Sequence, residues 1–193
     1  VDIQTGADLK DIAGGTTMIT YWVKTTATGN DDPALAPGVM GLDKGGTNDD
    51  LFLGFLDASG RVGIQAGSGN AAKSNAPIND GQWHYIAITR DHVSGDAQVF
   101  VDGVLHQTEN TEAGLKTEPF YSIGQMEGTG SFFQGNLDEL RVLNTFRSAD
   151  WLMTEYLNQS EQENSYTISD EFANYGISAF GGYANAPQDF LMA

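Results

Sequence analysis

The sequence predicts an all-β protein: a two-sheet antiparallel β-sandwich with one short helix near residues 148–157. Three observations carry this. Short runs of β-branched and aromatic residues recur along the chain, turn residues separate them at regular spacing, and a single segment shows helical periodicity. The 193 residues, 40% of them hydrophobic, suffice for the core of one sandwich domain.

Thr17 to Lys24 is the first strand, apolar on both parities as befits a strand inside a sheet. A turn-rich stretch from Thr25 to Pro37 precedes a second strand, Gly38 to Asp43. Leu51 to Leu56 and Arg61 to Gln65 flank Ala58-Ser59-Gly60 as a hairpin. The turn Asn79 to Gln82 leads into the strand Trp83 to Arg90. Gln98 to Val101 and Val104 to Gln107 flank Asp102-Gly103, a strong hairpin signal. Tyr121 to Gly124 reads as a short strand and Phe132 to Leu143 as a long one. Within the latter, alternation sets Leu137, Glu139, Arg141 and Leu143 against Asp138, Leu140 and Val142. Ser148 is the expected N-cap of the helix, with Trp151, Leu152 and Tyr156 at helical spacing. Tyr166 to Ile168 reads as a further strand. The sandwich is expected over 1–173, with 174–193 as either a last strand or a linker to the next module.

Nine Lys and Arg against 26 Asp and Glu give a formal charge of −17. That excess disfavours nucleic acid and anionic membranes as partners, since both require clustered cations. No apolar run approaches the roughly 20 residues that span a bilayer. There is no Cys, so neither disulfides nor thiolate ligands contribute. Acidic, Gly-rich, Cys-free chains are common among secreted bacterial proteins that use calcium for rigidity. The expected localisation is therefore secreted or cell-surface, with Ca2+ as the bound ion. A start at Val1 rather than Met suggests a piece of a longer chain.

Asp80-Gly-Gln-Trp-His-Tyr-Ile-Ala-Ile-Thr-Arg90, Val99-Phe-Val-Asp-Gly103 and Gly135-Asn-Leu-Asp-Glu-Leu-Arg-Val-Leu-Asn144 stand in that order. Together they resemble the laminin-G-like branch of the concanavalin A-like lectin/glucanase superfamily, from about Thr16 to Phe146. The tail Ala149 to Gln159 is similar to the segment C-terminal to such domains in large bacterial surface proteins. The resemblance implies a concanavalin A-like jelly roll, and it implies a structural calcium ligand at Asp138, helped by an N-terminal residue such as Asp2. The strand that opens such domains is absent or cut short here, and the segment after Ser165 is its expected replacement.

The residues themselves suggest further sites. Calcium takes six to eight hard oxygen ligands, which acidic loops rich in Gly and Asn supply. Asp43 to Asp50 is one such loop, with Asp49 and Asp50 as metal candidates; Asp31 and Asp32 form another. Each is equally an ordinary solvated turn. The same loop carries sugar-binding chemistry in Asp43, Lys44, Asn48, Asp49 and Asp50, with Tyr121 and Phe132 (or Phe133) as aromatic plates. The Gln125 to Phe133 loop is the alternative location. Trp83 is expected in the core. His84, His92 and His106 lack metal-ligand spacing. The Glu-x-Asp-x-(x)-Glu strand pattern of sandwich glucanases is absent, as is a Gly-x-Ser-x-Gly elbow, so no enzyme is expected.

The leading expectation is a non-catalytic, calcium-dependent lectin-like module of a bacterial adhesin, monomeric within a larger multidomain chain and attaching to glycans on a cell or matrix surface. The alternatives are a calcium-rigidified spacer or protein-interaction domain, and an accessory carbohydrate-binding module of a polysaccharide-degrading enzyme.

Overall fold

A computed structural model describes residues 12–43, 49–116, 122–127 and 130–160. Among the described residues eleven strands form two sheets. The strands are β1 (Thr17–Lys24), β2 (Gly38–Leu42), β3 (Leu51–Leu56), β4 (Val62–Ala66), β5 (Ala72–Lys73), β6 (Trp83–Arg90), β7 (Asp96–Val101), β8 (Val104–Asn110), β9 (Gln125–Glu127), β10 (Ser131–Phe132) and β11 (Asn136–Leu143). One sheet runs β11-β1-β6-β7-β8 and the other β10-β9-β2-β3-β4-β5. All pairings are antiparallel except β2 with β9. The sandwich predicted from the sequence is therefore the observed fold, with one parallel pairing added.

The core fills the space between the sheets. Ile19, Tyr21, Val23, Ile86, Ile88 and Val99 come from the five-stranded sheet; Val39, Leu51, Leu53, Leu56, Val62 and Ile64 come from the six-stranded one. The opposite parity of β1 and β6 points outward, and there Met18, Tyr85, Ala87 and Phe100 are buried with Leu152. Leu152 belongs to the helix α1 (Ala149–Ser160), which covers this outer face and adds Tyr156 to an aromatic cluster with Trp22 and Tyr85. Ser148 caps α1, its Oγ accepting the Trp151 N–H at 3.2 Å. The helix runs slightly longer than predicted. Trp151 lies on its exposed side, under the Arg147 guanidinium. The chain divides into units 1–156 and 157–193, and of the second only the end of α1 is described.

Local chemistry explains both the matches and the differences. Asp102 and Gly103 both take positive φ, 52° and 77°, which gives the twist that joins β7 to β8 tightly. The long strand predicted over Phe132 to Leu143 is interrupted at Gly135 and becomes β10 and β11. Strict alternation also fails in β11. Glu139 adopts φ 51°, and the register against β1 shifts between Thr20 and Trp22. That bulge places Leu137 on the core side with Leu140 and Val142, and leaves Asp138 and Glu139 both exposed. The strand expected at Tyr121 to Gly124 begins instead at Gln125, and Tyr121 lies outside the described residues. So does the strand expected at Tyr166 to Ile168, with everything after Ser160.

One buried cation ties this framework together. Arg90, at the end of β6, is fully buried. Its Nη1 donates to Gly14 O at 3.0 Å, and its Nη2 to Glu112 O at 2.8 Å and Gly114 O at 2.7 Å. The neighbouring Glu112 accepts from Lys116 Nζ, Ser68 N and Ser68 Oγ at 2.9–3.0 Å. These bonds, led by that from Lys116, hold the Glu112 carboxyl down at about 2. Replacing Arg90 with Met should cost on the order of 3 kcal/mol, because the Gly14, Glu112 and Gly114 carbonyls lose their donors at once. Lys should rescue only part, having no planar fork to span them. Urea unfolding checks this, and a Met variant within about 0.5 kcal/mol of the parent would refute it.

Candidate functional site

The sheet register assembles a surface that no single segment contains. Lys24, the last residue of β1, is directly opposite Trp83 of β6 on one side and Asn136 of β11 on the other. Directly paired residues share a face, so an indole, an ammonium and an amide stand in one row across the outer face. The cluster beneath α1 ends one rung earlier, at the Trp22–Tyr85 pair. Trp83 is accordingly 44% exposed, contrary to the core position expected for it. Its strand does bury an aromatic on the same parity, but that residue is Tyr85. Alternation puts Trp83 and Tyr85 on one face without indicating how far the helix covers it.

Beside this row lies a cleft of about 470 Å³ lined by Lys24, Thr25, Thr26, Ala27, Gly81, Gln134, Gly135 and Asn136. Thr25 is buried and knits its walls: its Oγ1 donates to Gln134 O at 2.6 Å and accepts from Ala27 N at 3.0 Å, while its carbonyl accepts from Gly81 N at 3.0 Å. Gly135 lets the strands come this close, since a Cβ there would sit 2.5 Å from Lys24 O.

The Gly81 wall is braced from behind. His84 Nδ1 lies 2.8 Å from Asp102 Oδ2, and its Nε2 lies 3.2 Å from Asp80 Oδ1. Asp102 Oδ1 also accepts the Tyr85 N–H at 2.9 Å, and Asp80 Oδ1 accepts the Gln82 N–H at 2.8 Å. The Asp102 hydrogen bond, outweighing burial, raises the imidazole pKa above its usual value.

The residues singled out from the sequence are dispersed. Asp43 and Asp49 are half-buried and Asp50 is buried, at the β2–β3 end of the six-stranded sheet. The Asp50 carbonyl accepts from Gly67 N at 2.9 Å. Lys44 and Asn48 lie outside the described residues, as do Asp2 and Tyr121. Phe132 is 64% exposed, on β10, two strands from β2. Asp31 and Asp32 are exposed in the loop after β1; their Oδ1 atoms accept from Ala58 N at 3.3 Å and Ala34 N at 3.1 Å. Asp138 stands on β11 opposite Trp22, its Oδ1 accepting the Glu139 N–H at 2.8 Å. Among the described residues no three His, Asp or Glu side chains are grouped as a metal site. A calcium ion at Asp138 would draw its other ligands from elsewhere.

Residues 2–153 match the Laminin_G_3 family of the concanavalin A-like lectin/glucanases superfamily, and the chain belongs to that family. No curated protein matches it in sequence. Among solved structures, the IT-sialidase CBM40 of Ruminococcus gnavus is similar with TM-score 0.59 at 18% identity, covering 78% of this chain and 86% of that one. The same module bound to α2,3-sialyllactose gives 0.58 at 19% identity, with the same coverage of 78% and 86%. Domain 4 of an extracellular arabinanase from Geobacillus stearothermophilus, in complex with arabinotriose, gives 0.55 at 17% identity over 75% of this chain and 68% of that one. These likenesses establish a shared fold.

The His84 brace carries a pH signature. A raised folded pKa means its stabilisation is fully present below the unfolded value of about 6.5, and is lost as pH rises through the folded value. Melting temperature should therefore fall from pH 5.5 to 8.5 by a component that His84→Gln removes. A variant with the parent's pH slope would contradict this.

Proposed function

We propose that this domain is a non-catalytic carbohydrate-binding module of a secreted bacterial adhesin, stabilised by calcium, which attaches to glycans at the Trp83–Lys24–Asn136 row. The row carries the reading. A sugar ring offers a C–H face to an aromatic plate and hydroxyl pairs to planar amides and ammonium groups, and this rung presents all three beside a polar cleft. Glycoside hydrolysis needs two flanking carboxylates, whereas the cleft is lined by hydroxyl, amide, ammonium and backbone groups. The carbohydrate-binding modules among the structural neighbours support the same reading. Two of them belong to glycan-cleaving enzymes, which favours an accessory module of such an enzyme as the second reading.

Calcium follows from charge. At −17, self-repulsion destabilises the compact state unless cations bind it. An ion that binds only the folded state adds about 2.7 kcal/mol at a hundredfold excess over Kd.

Glycan-array binding with millimolar calcium and with chelator tests both parts. Trp83→Ala should fold with a loss of about 1 kcal/mol or less and lose glycan binding at least tenfold, since the side chain lies outside the core. A variant that unfolds would return Trp83 to a structural role. Melting should rise on adding calcium, and an unchanged transition would count against a bound ion.

A further inference from the structure

We infer that the row at the end of β1 selects acidic saccharides, with Lys24 receiving the carboxylate or sulfate of the ligand. This rests on the carbohydrate-binding reading above and assigns its ligand class. The carrying observation concerns how the described cations are used. Arg61 and Lys73 both reach Asp57 Oδ2, at 2.7 and 3.3 Å. Lys116 pairs with Glu112 at 2.9 Å, and Arg141 with Glu139 at 2.7 Å and with Glu155. Arg90 is engaged by backbone carbonyls, and Arg147 lies over the Trp151 ring. Lys24 alone among the described residues has no such partner, although the chain carries 26 carboxylate side chains. It is exposed, at the rim of the cleft, between an exposed indole and an amide.

The carboxylates near it in the fold are turned to other work. Asp138, opposite Trp22 on the preceding rung of the same face, accepts the Glu139 N–H. Asp80, next to Gly81 in the cleft wall, faces His84 and the Gln82 N–H. An anionic group entering the cleft thus meets an ammonium that makes no ion pair among the described residues. The chain's overall negative charge does not forbid this. Exposed charges are screened beyond about 8 Å at physiological ionic strength, while a direct ammonium–anion contact is made well inside that distance. The neighbouring groups refine the recognition: the Trp83 face takes the ring, and the Asn136 amide takes a hydroxyl or the second anionic oxygen.

The test uses the full chain with calcium on an array that pairs each acidic glycan with its neutral core. Uronate-containing, sialylated and sulfated members form separate arms, so that carboxylate and sulfate ligands are told apart. Acidic members should bind roughly tenfold better than their neutral cores, the increment of a charge-assisted contact. Lys24→Gln should erase that preference, so that acidic members and their neutral cores bind alike, with the melting temperature unchanged, and Lys24→Arg should keep it. A preference for neutral cores, or an unchanged acidic preference in Lys24→Gln, overturns the inference while the carbohydrate reading stands. A folded, calcium-loaded protein that binds no glycan on the array overturns both.

Discussion

The structure depends on the burial of one guanidinium. Arg90 is placed by β6 at the end of the core, and its two terminal nitrogens donate to carbonyls from two segments far apart in sequence, while its Nε is buried without a partner. A buried cation is tolerable only when its donors are used, so the 14–15 lead-in and the 112–114 loop are drawn to the same point. The Lys116 N–H to Gly14 O bond, 3.0 Å long, closes the arrangement. Glu112 extends it to the Gly67–Gly69 turn through Ser68. The lead-in to β1 and the turns after β4 and β8 are thereby fixed to the end of β6.

The opposite end of β6 is left exposed at Trp83. β1 and β6 run antiparallel, with Thr17 opposite Arg90 and Lys24 opposite Trp83. Seven residues at about 3.4 Å each separate the clamp from the indole by about 24 Å. Between them, α1 covers the Trp22–Tyr85 rung and stops short of the next. A rigid scaffold that leaves its final rung uncovered presents side chains whose backbone positions are set by the sheet, which is the preorganisation a weakly binding sugar requires.

Much of the fold was legible in the sequence because its determinants are local. The Asp102-Gly103 hairpin, the Ser148 cap and the two apolar parities of β1 each depend on a few adjacent residues. What escaped was non-local. The bulge at Glu139 accompanies a register shift against β1, and it separates Leu137 and Glu139, which simple alternation assigns to one face. The break at Gly135 reflects close approach to Lys24 O, which no pattern in β11 announces. The proposed binding row is hidden in the sequence for the same reason, since residues 24, 83 and 136 meet only through sheet order. Asp43 to Asp50 stands out in the sequence because its polar groups are contiguous in the chain. The available signal for the row was an aromatic at a strand's first position, where coverage by a neighbouring element is least assured.

The central claim is that glycan recognition occurs on the Trp83–Lys24–Asn136 rung. Its most direct test is residue-resolved NMR of the calcium-loaded protein titrated with a glycan it binds. The three tryptophan indoles provide internal controls, because Trp22 lies beneath α1 and Trp151 lies under Arg147. Recognition at this rung predicts that the Trp83 indole signal and the amides of Lys24, Gly81 and Asn136 shift together, with the indole signals of Trp22 and Trp151 unmoved. Shifts centred on Asp43, Asp49, Asp50 and Phe132, with Trp83 silent, would contradict it.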